Sequence, residues 1–178
     1  MQNTSYDAEL AVLINRYATP LAILLTILGI ALSEPTGSVR IASIALLVFG
    51  IVFNSAALSA MKRDTGTKPW FMELRMGINV ATNITLVYLL GTTWPPIWLL
   101  LALTPIATAV YSTRTQTLRV SATMSFFLIA VHAARHLNSP EQWGEQIAYV
   151  VFILFLSLLI NDLAQIAKLS KAKWNISP

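Results

Sequence analysis

The stretch QIAYVVFILFLSLLINDLAQIAKL, Gln146 to Leu169, decides the fold. From Gln146 through Asn161 it carries no charge, and crossing about 30 Å of hydrocarbon takes about 20 predominantly apolar residues at 1.5 Å rise. A soluble helix would need a polar face, which this run lacks until Asn161, Asp162, Gln165 and Lys168. Working outward, five further apolar runs of comparable length lie N-terminal to it. The expected spans are residues 10–32, 39–61, 70–90, 94–111, 118–137 and 146–169, with a short basic tail at 170–178. They form one all-α, six-helix transmembrane domain covering 1–178, with no low-complexity segment or linker.

Composition agrees. Of 178 residues, 56% are hydrophobic and 11% charged, against roughly 25% charged in a soluble domain. The net charge of +4 does not point to nucleic acid, because the basic residues flank apolar runs instead of clustering with aromatics. With no Cys, disulfides, Cys-ligated zinc, iron–sulfur clusters and thiol catalysis are excluded. The N-terminus is acidic and lacks a basic n-region and a small-residue cleavage site, so the first apolar segment is expected to be retained.

Orientation follows from the cations. Placing both termini in the cytoplasm puts Arg16, Lys62, Arg63, Lys68, Arg114, Arg119, Lys168, Lys171 and Lys173 inside and leaves Arg40 and Arg135 outside, with Arg75 near the inner interface. The positive-inside rule favours that choice. Trp70, Trp94, Trp98 and Trp143 fall near predicted helix ends, where an aromatic belt sits. Pro69 and the Pro95-Pro96 pair suit first-turn positions of the third and fourth helices, and Pro105 predicts a kink near Leu101. The two three-helix halves show no residue-level repeat.

Polar residues within the spans carry the remaining information, since a polar side chain in lipid needs a partner or water. The first helix aligns Asn15, Thr19, Thr26 and Ser33, and the second carries Asn54, Ser55 and Ser59. The third aligns Arg75, Asn79 and Asn83, and the fourth Thr104, Thr108 and Ser112. On the fifth lie Ser121, Ser125, His132 and His136, and on the sixth Ser157, Asn161 and Gln165. Such seams serve either as close-packing glue between helices or as the lining of a polar cavity. Glu73 and Arg75 lie about 200° apart around a helix, so each needs its own partner. Asp162 is a candidate to meet Arg75 or Arg16.

His132 and His136, four residues apart, face one side of the fifth helix beside Arg135. Glu141 or Glu145 would have to complete a metal site there, and a pH-responsive pair or ordinary interface histidines are the alternatives. Two histidines alone fall short of a metal set, so no metal or cofactor is expected. No glycine-rich phosphate loop, GxSxG, HExxH or deep carboxylate pair is present. The chain is therefore expected not to be an enzyme. The residues singled out for a cavity or switch are Arg75, Asn79, Asn83, Asp162, His132 and His136.

One stretch has a likeness. Arg75-Met-Gly-Ile-Asn79, then Leu86-Val-Tyr-Leu-Leu-Gly91, then Thr92-Thr-Trp-Pro-Pro96 and Thr104-Pro105 together resemble the middle of the multi-helix transmembrane input region of bacterial sensor histidine kinases and related signalling proteins. The features shared are an Arg-bearing helix ending in tyrosine and glycine, a short proline-containing outer turn and a proline-interrupted fourth helix. Where that family has paired glycines, this chain has Gly91-Thr92. The resemblance covers about 35 residues and implies a signal-input module in a bacterial inner membrane. Its partners would be the lipid bilayer, a cytoplasmic signalling protein and a second copy of the chain, with no nucleic acid. An output domain is not among these residues, and neither intramembrane histidine suits a phosphoacceptor. A transport or solute-binding subunit and a structural or assembly subunit are the competing classes.

Overall fold

A computed structural model describes residues 3–61, 69–135 and 139–174. Among them the chain is helical, with no strand. Six helices follow one another: α1 (Asn3–Leu32), α2 (Gly37–Met61), α3 (Pro69–Leu90), α4 (Leu99–Tyr111), α5 (Arg114–Ala134) and α6 (Pro140–Trp174), with a 3-10 turn, Pro95–Trp98, leading into α4. Three stretches are long and apolar enough to cross a bilayer: Gly37–Ala57, Arg114–Ala134 and Pro140–Leu169. Arg16–Leu32, Leu74–Leu90 and Pro95–Val110 are shorter apolar helical stretches. Large apolar side chains such as Val52, Phe126, Phe155 and Ile166 point outward, while many of the buried polar groups lie between helices. That is the arrangement of a membrane protein, in which lipid is the solvent for the apolar faces.

The helix ends follow from local chemistry. Pro69 and Pro140 occupy the first positions of α3 and α6, where a missing N–H leaves no helical bond unmade. Ser139 and Gln142 close a reciprocal capping box at α6: the Ser139 hydroxyl accepts from the Gln142 N–H at 3.2 Å and the Gln142 carboxamide accepts from the Ser139 N–H at 3.4 Å. Thr113 caps α5 by accepting from the Gln116 N–H, so α5 begins four residues before the expected start. At the other end α5 stops at Ala134, and the expected continuation to 137 falls partly on residues outside those described.

The proline pair behaves differently from expectation. Pro95 and Pro96 lie in the 3-10 turn and not in the first α-turn of α4. Two successive prolines supply no N–H. The first amide able to donate, that of Ile97, reaches back three residues to the Trp94 carbonyl at 3.2 Å. At the α1–α2 turn, the Ser33 hydroxyl donates to the Gly29 carbonyl. Glu34 then adopts a left-handed φ of 44°, and after Pro35 the helical bonding resumes with the Arg40 N–H donating to the Thr36 carbonyl at 2.8 Å.

The chain divides into two compact units, one of Ala22–Leu100 and one of Met1–Leu21 with Leu101–Pro178. In the first, α2 packs on α3 and the 3-10 turn packs on α3, with Leu86, Leu90, Ile97 and Leu100 buried. Gly29 of α1 touches the same turn, since a Cβ there would sit 3.0 Å from the Trp94 ring and 3.3 Å from Leu90. In the second unit, α5 and α6 run antiparallel and make the principal packing. His132 meets Trp143 at one end and Arg114 meets Asp162 at the other. The buried side of α5 carries Thr117, Ser121, Met124, Ser125, Leu128 and His132. Short side chains there let the two backbones approach closely.

Candidate functional site

Two polar clusters lie inside these units, and each is built from amides. In the Ala22–Leu100 unit, Asn54 of α2 and Asn79 of α3 exchange hydrogen bonds. Asn54 Nδ2 donates to Asn79 Oδ1 at 3.0 Å and Asn79 Nδ2 donates to Asn54 Oδ1 at 3.2 Å. Asn54 uses its second amide hydrogen on the Gly50 carbonyl at 3.0 Å, and its oxygen also accepts from Arg75 Nε at 3.4 Å. All four hydrogen-bonding positions of the Asn54 carboxamide are thus occupied. The half-buried guanidinium of Arg75 is held by a neutral amide that both helices fix in place. Four residues on from Asn79, Asn83 donates to the backbone carbonyl of Leu100 at 3.3 Å.

In the other unit, α6 grips the end of α4. Asn161 is fully buried, and its Nδ2 donates to the carbonyls of Ala109 at 2.7 Å and Ser112 at 2.9 Å. One turn on, Gln165 Nε2 adds a bond of 3.2 Å to the same Ser112 carbonyl. The last carbonyls of a helix have no intrahelical donor, so two side chains of a neighbouring helix complete this one. Asp162, adjacent in sequence, lies on a different side of α6 and is 51% exposed, with Arg114 Nε at 4.0 Å.

The partner the structure gives Asp162 is Arg114, a residue of its own unit that the sequence reading did not consider for it. Arg75 and Asn79 do come together, but through Asn54. His132 is buried with its ring edge-on to Trp143, centroids 4.6 Å apart. His136 lies outside the described residues, so the proposed pair with His132 is untouched by the structure. Among the described residues no group of three His, Asp or Glu converges to hold a metal ion.

Several hydroxyls within the helices bond back to the carbonyl one turn earlier, as Thr26, Thr82, Thr108 and Ser157 do, which is how Ser and Thr satisfy themselves in an apolar helix. The buried hydroxyls of Ser43, Thr117, Ser121 and Ser125, the Asn161 Oδ1 and the His132 Nε2 have no hydrogen-bond partner among the described residues. Three of those hydroxyls share one stripe of α5.

No family model, curated protein or solved structure matches the chain. Chemically, the two amide clusters offer carboxamides and the Arg75 guanidinium. Such groups bind, orient and hold helices in register. Asn54, Asn161 and Gln165, which join these helices, lie outside the six residues singled out from the sequence. Their signal was present as the spacing of the polar seams, but charge and scarcity drew attention to Asp162 and the histidines instead.

Proposed function

We propose that this chain is a non-enzymatic signal-input module of a bacterial inner membrane. It crosses the bilayer six times with both ends in the cytoplasm, and it acts on a separate cytoplasmic signalling protein. Three kinds of support meet here: the cations flanking the apolar runs, the likeness of residues 75–105 to sensor-kinase input regions, and the amide clusters joining helices. Arg75, Asn79, Asn83, Asp162, His132 and His136 are the proposed ligand or switch residues, and Asn54 and Asn161, neighbours of Asn79 and Asp162, join that set.

The observation that carries the reading is α6. Its 35 residues make a helix about 52 Å long, some 20 Å more than the hydrocarbon needs, and it runs unbroken past Lys168 to Trp174. A continuous helix joining the membrane interior to a basic end is the element through which such a module would reach a partner. Site-specific cross-linking from Lys171 and Lys173 in intact cells tests this directly. Capture of a kinase or cyclase is the expected result. Capture of no output protein, together with solute uptake by the purified chain in proteoliposomes, would replace signalling with transport.

A further inference from the structure

We infer that residues 109–114 and the Asn161, Asp162 and Gln165 side chains of α6 form a clamp through which the end of α4 sets the position of the cytoplasmic end of α6. This rests on the signal-input reading and specifies how its output helix is moved. Three hydrogen bonds from two α6 side chains converge on the Ala109 and Ser112 carbonyls, and the Arg114–Asp162 pair lies at the same corner. Ala109, Ser112 and Asn161 are all buried. Separating the corner from α6 would leave carbonyls and a carboxamide unpartnered in an apolar surrounding, so the three bonds hold or break together.

The covalent link between α4 and α5 is only Ser112 and Thr113, yet it is α6 that completes α4. The grip lies one to two turns before Lys168 on a helix that continues without a break. On the α4 side, Pro105 gives no N–H to the Leu101 carbonyl, which leaves α4 pliant one turn before the gripped end. A change in the direction of α4 at Pro105 is therefore carried by the clamp into α6. When the clamp is open, the change stays within α4.

The chain contains no Cys, so a single introduced thiol reports cleanly. The whole chain in nanodiscs, carrying Leu169→Cys, is treated with a maleimide and its alkylation rate recorded for four forms: unaltered, Pro105→Ala, Gln165→Leu with Asn161→Ala, and all three together. Leu118→Cys at the start of α5 is the control. Pro105→Ala is expected to change the alkylation rate at position 169 about threefold or more when the clamp is intact and to have no effect when it is removed, a coupling of the size that contacting residues show. The rate at position 118 should stay constant. Thr108→Val, which removes the α4 back-bond to Thr104, repeats the test should Pro105→Ala fold poorly. Equal effects of the α4 substitution with and without the clamp, or parallel changes at 118 and 169, would overturn the proposal. Coupled helices without any cytoplasmic partner would leave the clamp standing and remove the signalling role, and a partner with uncoupled helices would do the reverse.

Discussion

Asn161 and Asp162 are neighbours in sequence with opposite expected costs of removal. Asn161→Ala deletes two hydrogen bonds of 2.7 and 2.9 Å inside a fully buried contact. Ser112 keeps its bond from Gln165, but the Ala109 carbonyl loses the interhelical donor. An interhelical hydrogen bond in a membrane protein averages about 0.6 kcal/mol and reaches about 1.7, and a stranded buried carbonyl adds roughly 1–3 kcal/mol. The expected loss is about 2–3 kcal/mol, or roughly 30- to 150-fold in the unfolding equilibrium. Asp162→Ala breaks an ion pair at 4.0 Å whose side chains are 71% and 51% exposed, and such pairs are worth roughly 0–1 kcal/mol after screening. Reversible unfolding in bicelles, read by steric trapping, measures both. Equal losses, or a larger one for Asp162, would refute the reasoning that burial and amide geometry govern this corner.

Three further outcomes are expected. Gly50→Ala, with nothing within 4 Å, should be neutral or stabilising by up to about 1 kcal/mol in the same assay, and Gly29→Ala should be less favourable than it by about 1–2 kcal/mol, because the new Cβ meets the Trp94 ring at 3.0 Å; equal effects at the two positions would contradict the close approach. Asn54→Leu and Asn79→Leu should be non-additive, with a coupling of about 0.6–1.7 kcal/mol from their shared pair of hydrogen bonds, and strict additivity would dissolve the cluster. Glu34→Gly should raise stability by about 0.5–1 kcal/mol, since glycine adopts the left-handed φ of 44° without a Cβ penalty, and a measured decrease would show that Glu34 is held there by its side chain.

Helix number was legible, as were the C-terminal ends of the first four helices at Leu32, Met61, Leu90 and Tyr111, because they rest on local rules. Pro69 opens α3 as expected, but hydropathy alone set the starts of the first and sixth helices too late: α1 begins at Asn3 and not at 10, and α6 begins at Pro140 and not at 146, because Ser139 and Gln142 cap a polar first turn that the apolar run does not include. The fourth helix was read less well, because the sequence marks Pro95-Pro96 as a start without saying that the double loss of N–H groups produces a 3-10 turn before Leu99. Partner choice was the least legible, since it depends on how helices face one another. Residues 161 and 162 differ by about 100° around α6, and that rotation decides which is buried against α4 and which is turned outward. The charge on Asp162 made it conspicuous, while the neutral Asn161 makes the interhelical bonds. In the same way Arg75 and Asn79 stood out on α3, but the residue joining them belongs to α2.

Everything proposed for function depends on the path of the chain through the bilayer, and single cysteines read that path most directly. Thiols introduced by Thr36→Cys, Thr92→Cys and Ser139→Cys should react with an impermeant maleimide in intact spheroplasts, whereas those of Thr113→Cys and Ser177→Cys should react only after the membrane is opened. Labelling of Thr113→Cys or Ser177→Cys from outside, or protection of any of the first three, would contradict the six-pass arrangement with both ends in the cytoplasm.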